Sequence, residues 1–279
     1  MQVVTGLNYT ILLKTNNINT NQVNRLSVQV TLYGLSFLVL SSESRKASLI
    51  ERTFESARTP EELLDELKKA FVDEEMLSET FSQVSVIFGS HFYTLVPSSL
   101  FDESKASEYL KFNTKILTND FVSHDLVESQ DIQVVYVPFV NINNYLFEKF
   151  GNFQYFHSAT VLLKHFLGKE KFTIKPKVFL NVAKDWFDCI VLSQGKVELC
   201  NSYPFKSPED FIYFTLFVFE QLHLNPDQVD VKLTGNIDKE SPLFELLYTY
   251  VRNISFIEET PFYVENEENH RNFILKVHS

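Results

Sequence analysis

The sequence predicts a duplicated, two-lobed α/β fold in which each half runs β-β-β-α-β and carries a mixed sheet. Three observations lead there: short runs alternate apolar with polar residues, helices open on Ser-Pro or Thr-Pro followed by acids, and the halves repeat one order of elements. In the first half, "RLSVQVTLYGLSFLVLSSESRKASLIERTF" alternates through two strands joined at Tyr33-Gly34, and a third strand follows the polar turn Ser41 to Lys46. A helix comes next, "TPEELLDELKKAF", with Thr59 as cap, Pro60 at the first helical position and acids in the first turn. The strand "QVSVIF" closes the set. In the second half, "KPKVFLNVAKDWFDCIVLSQGKVELCNSYPF" reads as three strands with Ser193-Gln194-Gly195 as the turn before the third. "SPEDFIYFTLFVFEQL" is again a helix and "QVDVKL" again a strand. The pairs "SQVSVIF" and "DQVDVKL", "SSLF" and "SPLF", "TPEEL" and "SPEDF" recur at an offset of roughly 143 to 148 residues, as an internal duplication gives.

Between the halves, "DIQVVYVPFVNINNYLFEKFGNFQYFHSATVLLKHFLGK" reads as strand, helix, strand, helix, with Gly151 and Gly168 ending the two helices. The polar segment "GKEKFTIKPK", Gly168 to Lys177, is the expected hinge between a first lobe at 1–170 and a second at 171–279.

Composition narrows the function classes. A chain of 279 residues with 44% apolar content can bury a sizeable core. The formal net charge of -11 disfavours a nucleic-acid partner, because phosphate backbones are held by clustered Lys and Arg. The amino-terminal "MQVVTGLNYTILLKTNN" lacks the pattern of an export signal, so a cytoplasmic address is the default. The most apolar run, "FIYFTLFVF" at Phe211 to Phe219, is about half the length of a membrane-spanning helix and reads as a buried helix; no membrane partner is expected. Cys189 and Cys200 lack a CxxC spacing and are expected to be reduced core thiols, although they can face each other on neighbouring strands. The sequons at Asn8 and Asn253 carry no meaning in a protein that is not secreted.

Two β-β-β-α-β halves around a cleft resemble the superfamily of actin, Hsp70-type chaperones and sugar kinases, which implies an actin-like (ribonuclease H-like) fold. "YTLVPSSLFDESKASEYL", Tyr93 to Leu110, is similar to the Hsp70 pattern of a strand ending in Val-Pro-Ala before a helix. "KVFLNVAKDWFDCIVL" stands where that superfamily begins its second lobe with a strand, an aspartate and a glycine-rich phosphate turn, and "VKLTGNIDKESPL" stands at its adenosine-contacting loop. More narrowly, "RLSVQVTLYGLSFLVLS" is similar to the opening of a bacterial family, domain of unknown function 3822. The nucleotide cleft implied by the resemblance maps onto Gly34, Ser36, Asn181, Lys184, Asp185, Gly235 and Asn236.

Several of these positions depart from an ATPase. Phosphate turns need glycines so that backbone N–H groups approach the oxygens without a Cβ in the way. The second turn, Asn181 to Trp186, has none, and the first keeps only Gly34 beside a bulky Tyr33. Where magnesium-holding aspartates are expected, Gln29 or Thr31 and Asn181 stand instead, and a neutral amide holds a hydrated dication less well than a carboxylate. Lys184 and Asp185 are expected to leave a charge pair where phosphate would sit. The chain has 7 glycines, about a third of ordinary usage.

The remaining candidates have plainer explanations. Gly235 could contact an adenosine edge, but a turn glycine ending a core strand explains it equally well. Asn181 and Asp188 read as polar strand residues at a lobe interface before remnants of a catalytic strand. His124-Asp125 reads as a surface turn, since adjacent residues rarely form a base and its orienting carboxylate. The histidines show no HxxxH or HExxH spacing, so no metal is expected. The acidic runs at Asp73 to Glu75 and Glu265 to Asn269 read as solvated faces or turns. The aromatic stretch from Asn143 to Phe166 is dense enough to leave side chains for a partner.

The sequence therefore points to a non-enzymatic, cytoplasmic interaction or regulatory module with no cofactor, whose partner is another protein or a second copy. One alternative is a divergent ATPase or kinase binding ATP and magnesium; another is a small-molecule binder using the interlobe cleft without hydrolysis.

Overall fold

The computed structural model describes residues 24–41, 47–111, 121–265 and 267–278; the amino-terminal stretch and most of the turn expected at Ser41 to Lys46 lie outside them. The first half contains β1 (Arg25–Thr31), β2 (Gly34–Leu40), β3 (Ala47–Thr53), α1 (Pro60–Asp73) and β4 (Gln83–Phe88). Then come β5 (Tyr93–Pro97), α2 (Ala106–Leu110), β6 (Ser123–Val127), β7 (Ile132–Tyr136), α3 (Val140–Phe150), β8 (Gln154–His157) and α4 (Ser158–Lys169). The second half contains β9 (Lys177–Val182), β10 (Trp186–Ser193), β11 (Lys196–Pro204), α5 (Pro208–Gln221) and β12 (Asp230–Gly235). It ends in α6 (Pro242–Tyr250), β13 (Asn253–Phe256) and α7 (Phe273–His278).

The duplication is visible in the topology. The two five-stranded sheets have orders β3-β2-β1-β4-β8 and β11-β10-β9-β12-β13, and a three-stranded sheet, β5-β7-β6, is inserted in the first half. In each large sheet the first three strands pair antiparallel and the other two join parallel. The helix starts read from sequence at α1 and α5 are capped, by a reciprocal Thr59–Glu62 capping box and by Ser207 ahead of a proline, and Ser241 caps α6 in the same way.

Helix α4 carries the packing between the sheets. Its Phe166 stacks on Phe179 of β9 at 4.0 Å and on Phe273 of α7 at 5.7 Å between ring centroids. Phe179, Ile190 and Leu192 of the second sheet therefore share one buried cluster with β1, β2 and β4 of the first. A second core lies between the other face of the second sheet and helices α5 and α6, where Phe187 meets Phe211 edge-on at 4.7 Å.

Three sequence expectations are corrected. Gly151 does end α3, with φ of 73° and its N–H on Phe147 O, but α4 runs through Gly168 to Lys169, and its last N–H bond is made by Glu170 to Phe166 O. Helix α5 is not buried all round: Phe211, Ile212, Val218 and Phe219 face the core, whereas Tyr213 and Phe217 are exposed. His124 and Asp125 lie in the middle of strand β6, paired with β7, and not in a surface turn.

Gly235 is fixed by backbone contact. It has φ of 86°, and a Cβ there would lie 2.2 Å from Val182 O. This proximity comes from the end of β12 crossing the end of β9, where Asn236 N–H donates to Val182 O at 2.7 Å and Gly235 N–H to His270 O at 2.8 Å. Gly235→Ala is expected to lower stability by at least about 2 kcal/mol, since it combines left-handed strain with a clash against main chain. Urea denaturation checks this, and a midpoint equal to the wild type would contradict it.

Candidate functional site

The two lobes enclose a cleft of about 520 Å³. The hairpin turns between β1 and β2 and between β9 and β10 enter it from opposite lobes, and the start of α4 and the 271–274 segment complete its wall. Gly34, Ser36, Asn181, Lys184, Gly235 and Asn236 all line it, as do Gln29 and Thr31. Asp185 does not; it lines a smaller neighbouring pocket with Tyr33, His91 and Trp186.

The hairpin turns are bonded across the cleft to the opposite lobe. Tyr33 OH donates to Asp185 Oδ2 at 2.8 Å, and this bond pushes the Tyr33 phenol above its usual pKa, with burial adding to it. Lys184 Nζ donates to Phe54 O and to Glu55 O, each at 2.7 Å, and lies 5.2 Å from the centre of the Tyr33 ring. The expected Lys184–Asp185 charge pair is therefore replaced by two separate inter-lobe contacts. Sequence adjacency pointed to pairing; the strand geometry sends the two side chains to different partners.

Asn181, at the magnesium-aspartate position implied by the resemblance, is committed within its own sheet. Its Nδ2 donates to Asp188 Oδ2 at 3.0 Å and its Oδ1 accepts from Thr234 Oγ1 at 2.9 Å. Asp188 also accepts from Tyr93 OH at 3.4 Å and from Ser202 Oγ. Thr234, Asn181, Asp188 and Ser202 thus form a polar row across four neighbouring strands, set by the registers Thr234↔Asn181, Asn181↔Asp188 and Asp188↔Ser202. The matching row in the first sheet, Gln29↔Ser36↔Glu51, faces the cleft, and neither Gln29 nor Ser36 has a side-chain hydrogen bond among the described residues.

Burial drives the Asp188 carboxyl up to about 6, against the lowering effect of the Ser202, Asn181 and Tyr93 hydrogen bonds. A second raised carboxylate, which the sequence reading placed in a surface turn, is the half-buried Asp125, also pushed by desolvation to about 6. It accepts from His157 N–H at 2.8 Å, Thr160 Oγ1 at 2.7 Å and Tyr136 OH at 3.1 Å, so it holds the start of α4. His157 caps the same helix by accepting Ala159 N–H on Nδ1 at 3.1 Å; burial holds its pKa at about 3, so the ring is neutral. The short run "SHDLV" lacks the alternation that marks a strand, so the sequence put Asp125 in a turn and gave no sign of its place beside α4.

Asp238, Glu268 and His270 offer ligand atoms within 4.8 Å of one another. Arg271 already binds Asp238 through two contacts of 2.6 Å, and His270 Nε2 lies 2.8 Å from Ile237 O. A guanidinium thus stands where a cation would bind. Cys189 and Cys200 lie on paired strands and are both free thiols.

This architecture defines an actin-like fold. A Bacteroides thetaiotaomicron VPI-5482 protein with an actin-like ATPase fold and unknown function matches 94% of this chain and 98% of its own, at a TM-score of 0.79 and 20% identity. The PilM-PilN type IV pilus biogenesis complex contains a chain matching 84% of this one and 88% of its own, at a TM-score of 0.54 and 14% identity. No curated protein matches the chain in sequence. The chain belongs to the family described as protein of unknown function (DUF3822), whose model matches residues 13–254. Among the described residues, no helix is long and apolar enough to cross a membrane.

The raised carboxylates fix a pH dependence. Unfolded Asp titrates near 3.9, so between about pH 4 and 6 the folded protein binds protons at Asp188 and Asp125 that the unfolded chain has released. The stability tied to these groups is present below that window and lost as the pH rises through it. Compared with Asp188→Asn, the wild type is expected to gain on the order of 1–3 kcal/mol between pH 7 and pH 4.5. Paired urea titrations test this; a difference constant with pH would contradict it.

Proposed function

We propose that this protein is a non-catalytic actin-fold module that acts by binding another protein. The observation supporting this reading is the pair of inter-lobe contacts: Tyr33 on Asp185, and Lys184 on the carbonyls of Phe54 and Glu55. They fill the ground between the hairpins with protein where, by the resemblance, a triphosphate would need bare main chain. Asn181 spends both ends of its amide on neighbours, so it has neither the charge nor a free lone-pair direction suited to a hydrated magnesium ion. A protein partner is in keeping with the PilM-PilN complex, one of whose chains shares this fold.

One feature favours a second reading, small-molecule binding without hydrolysis. Gln29, Ser36, Thr53 and Ser158 line the cleft with no side-chain hydrogen bond among the described residues, and its volume of about 520 Å³ suits a small ligand.

Titration with 1 mM ATP and magnesium separates these readings from an ATPase. A nucleotide bound with a dissociation constant near 10 µM would add about 2.7 kcal/mol at that concentration, or roughly 5–10 °C in the melting midpoint. The expected result is a shift below about 1 °C, no calorimetric heat and no phosphate release. A shift of several degrees that Ser36→Trp abolishes would overturn the proposal. Ser36 is the better position for that control because Gly235 tolerates no side chain.

A further inference from the structure

We infer that the solvent face of α5 is the docking surface for a partner segment that presents an apolar centre between two cationic residues. The inference rests on the interaction-module reading and names its surface.

Glu209, Tyr213, Phe217 and Glu220 recur along α5 at spacings that put them on one side of the helix. All four are exposed, Tyr213 at 63% and Phe217 at 41%. The two rings lie nearly parallel, with centroids 6.4 Å apart and planes 20° apart, and Tyr213 also meets Phe214 edge-on at 5.2 Å. Phe214 in turn stacks on Tyr203 of the sheet-edge strand β11. The stripe is thus a firm aromatic platform with an acid at each end. Single exposed apolar residues are ordinary on a protein surface, but paired aromatics held by the half-buried Phe214 and Tyr203 and bracketed by like charges are not.

Charge selects the occupant. Neither α5 nor α6 contains a Lys or Arg, and α6 adds exposed Glu245 and Tyr248 to the same lobe. Lys206, just before α5, is the nearest base in the sequence on that side. A second copy docking stripe to stripe would oppose acid to acid, and an anionic lipid surface would be repelled. A segment with bases about 16 Å apart, the rise of α5 between Glu209 and Glu220, places each cation on a carboxylate and its apolar centre on the rings. The chain's net charge of -11 steers such a segment inward.

The test uses the full chain and three synthetic helical peptides roughly 14 residues long that share one leucine-rich face. They differ only in two residues about 16 Å apart, which are Arg, Gln or Glu. By fluorescence anisotropy the Arg peptide is expected to bind most tightly. Tyr213→Ala with Phe217→Ala is expected to weaken it about tenfold or more, and Glu209→Lys with Glu220→Lys to make the Glu peptide the preferred one. On the wild type alone, raising salt from about 50 to 500 mM is expected to weaken the Arg complex and leave the Gln complex nearly unchanged. Equal binding of the three peptides, an order that survives charge reversal, or self-association lost in the double alanine variant would each overturn the inference. If no peptide binds and ATP with magnesium is also inert, the surface is wrong and the non-catalytic reading stands. If ATP with magnesium binds while the peptide order holds, the surface stands and that reading fails.

Discussion

Closure of the cleft depends on one feature, the seizure of each hairpin turn by the opposite lobe. Lys184 reaches from the second lobe to two backbone carbonyls of the first, and Tyr33 reaches back to Asp185. Bonds from an ammonium to carbonyl oxygens at 2.7 Å are charge-assisted and stronger than neutral ones. Opening the cleft far enough to admit a triphosphate between the turns would strip these groups of partners while the turns still lacked the glycines to replace them. Such a cleft is stabilised by its own side chains.

Beneath the turns, the two sheets are held at a fixed separation by α4. Its Phe166 is sandwiched between Phe179 and Phe273, one from the second sheet and one from the carboxy-terminal helix. The start of α4 depends on Asp125, half-buried and held above its usual pKa, and on His157, a fully buried neutral imidazole. The side chains of Asp125, His157 and Thr160 are hydrogen-bonded there, which is what permits them in this setting, while Ser158 lines the cleft. Inter-lobe contact thus recurs at the hairpins, at Tyr93 on Asp188 and at α4, and a rigid-body hinge would have to break packing as well as hydrogen bonds.

Much of this was legible from residue order. The caps at Thr59 and Ser207, the turn glycine at 195 and the alternating strands each encode local geometry, so the duplicated β-β-β-α-β order followed from them. What escaped was set by tertiary contact. Gly168 resembles a helix end but sits inside α4, because helix propensity costs about 1 kcal/mol at a glycine and packing outweighs it. Asp125 sits in a strand too short and polar to announce itself. The partners of Lys184 and Asp185 lie more than a hundred positions away in the chain, beyond any local pattern.

The two halves, alike in topology, have diverged in opposite directions at equivalent positions. In the second sheet the row Thr234–Asn181–Asp188–Ser202 is closed on itself, each polar group bonded to the next. In the first, Gln29 and Ser36 face the cleft without side-chain partners among the described residues, and Glu51 accepts from Asn272 of the 271–274 segment at 2.8 Å. Unpaired amides and hydroxyls on a cleft wall are hydrated at best and contribute nothing to the core. The asymmetry separates the two halves of the cleft: the second lobe has turned its share into structure, while the first still presents groups able to bond a neutral ligand. The non-catalytic reading proposed above and a cleft able to bond a small ligand are therefore compatible, because the closed row and the open row reside in different sheets.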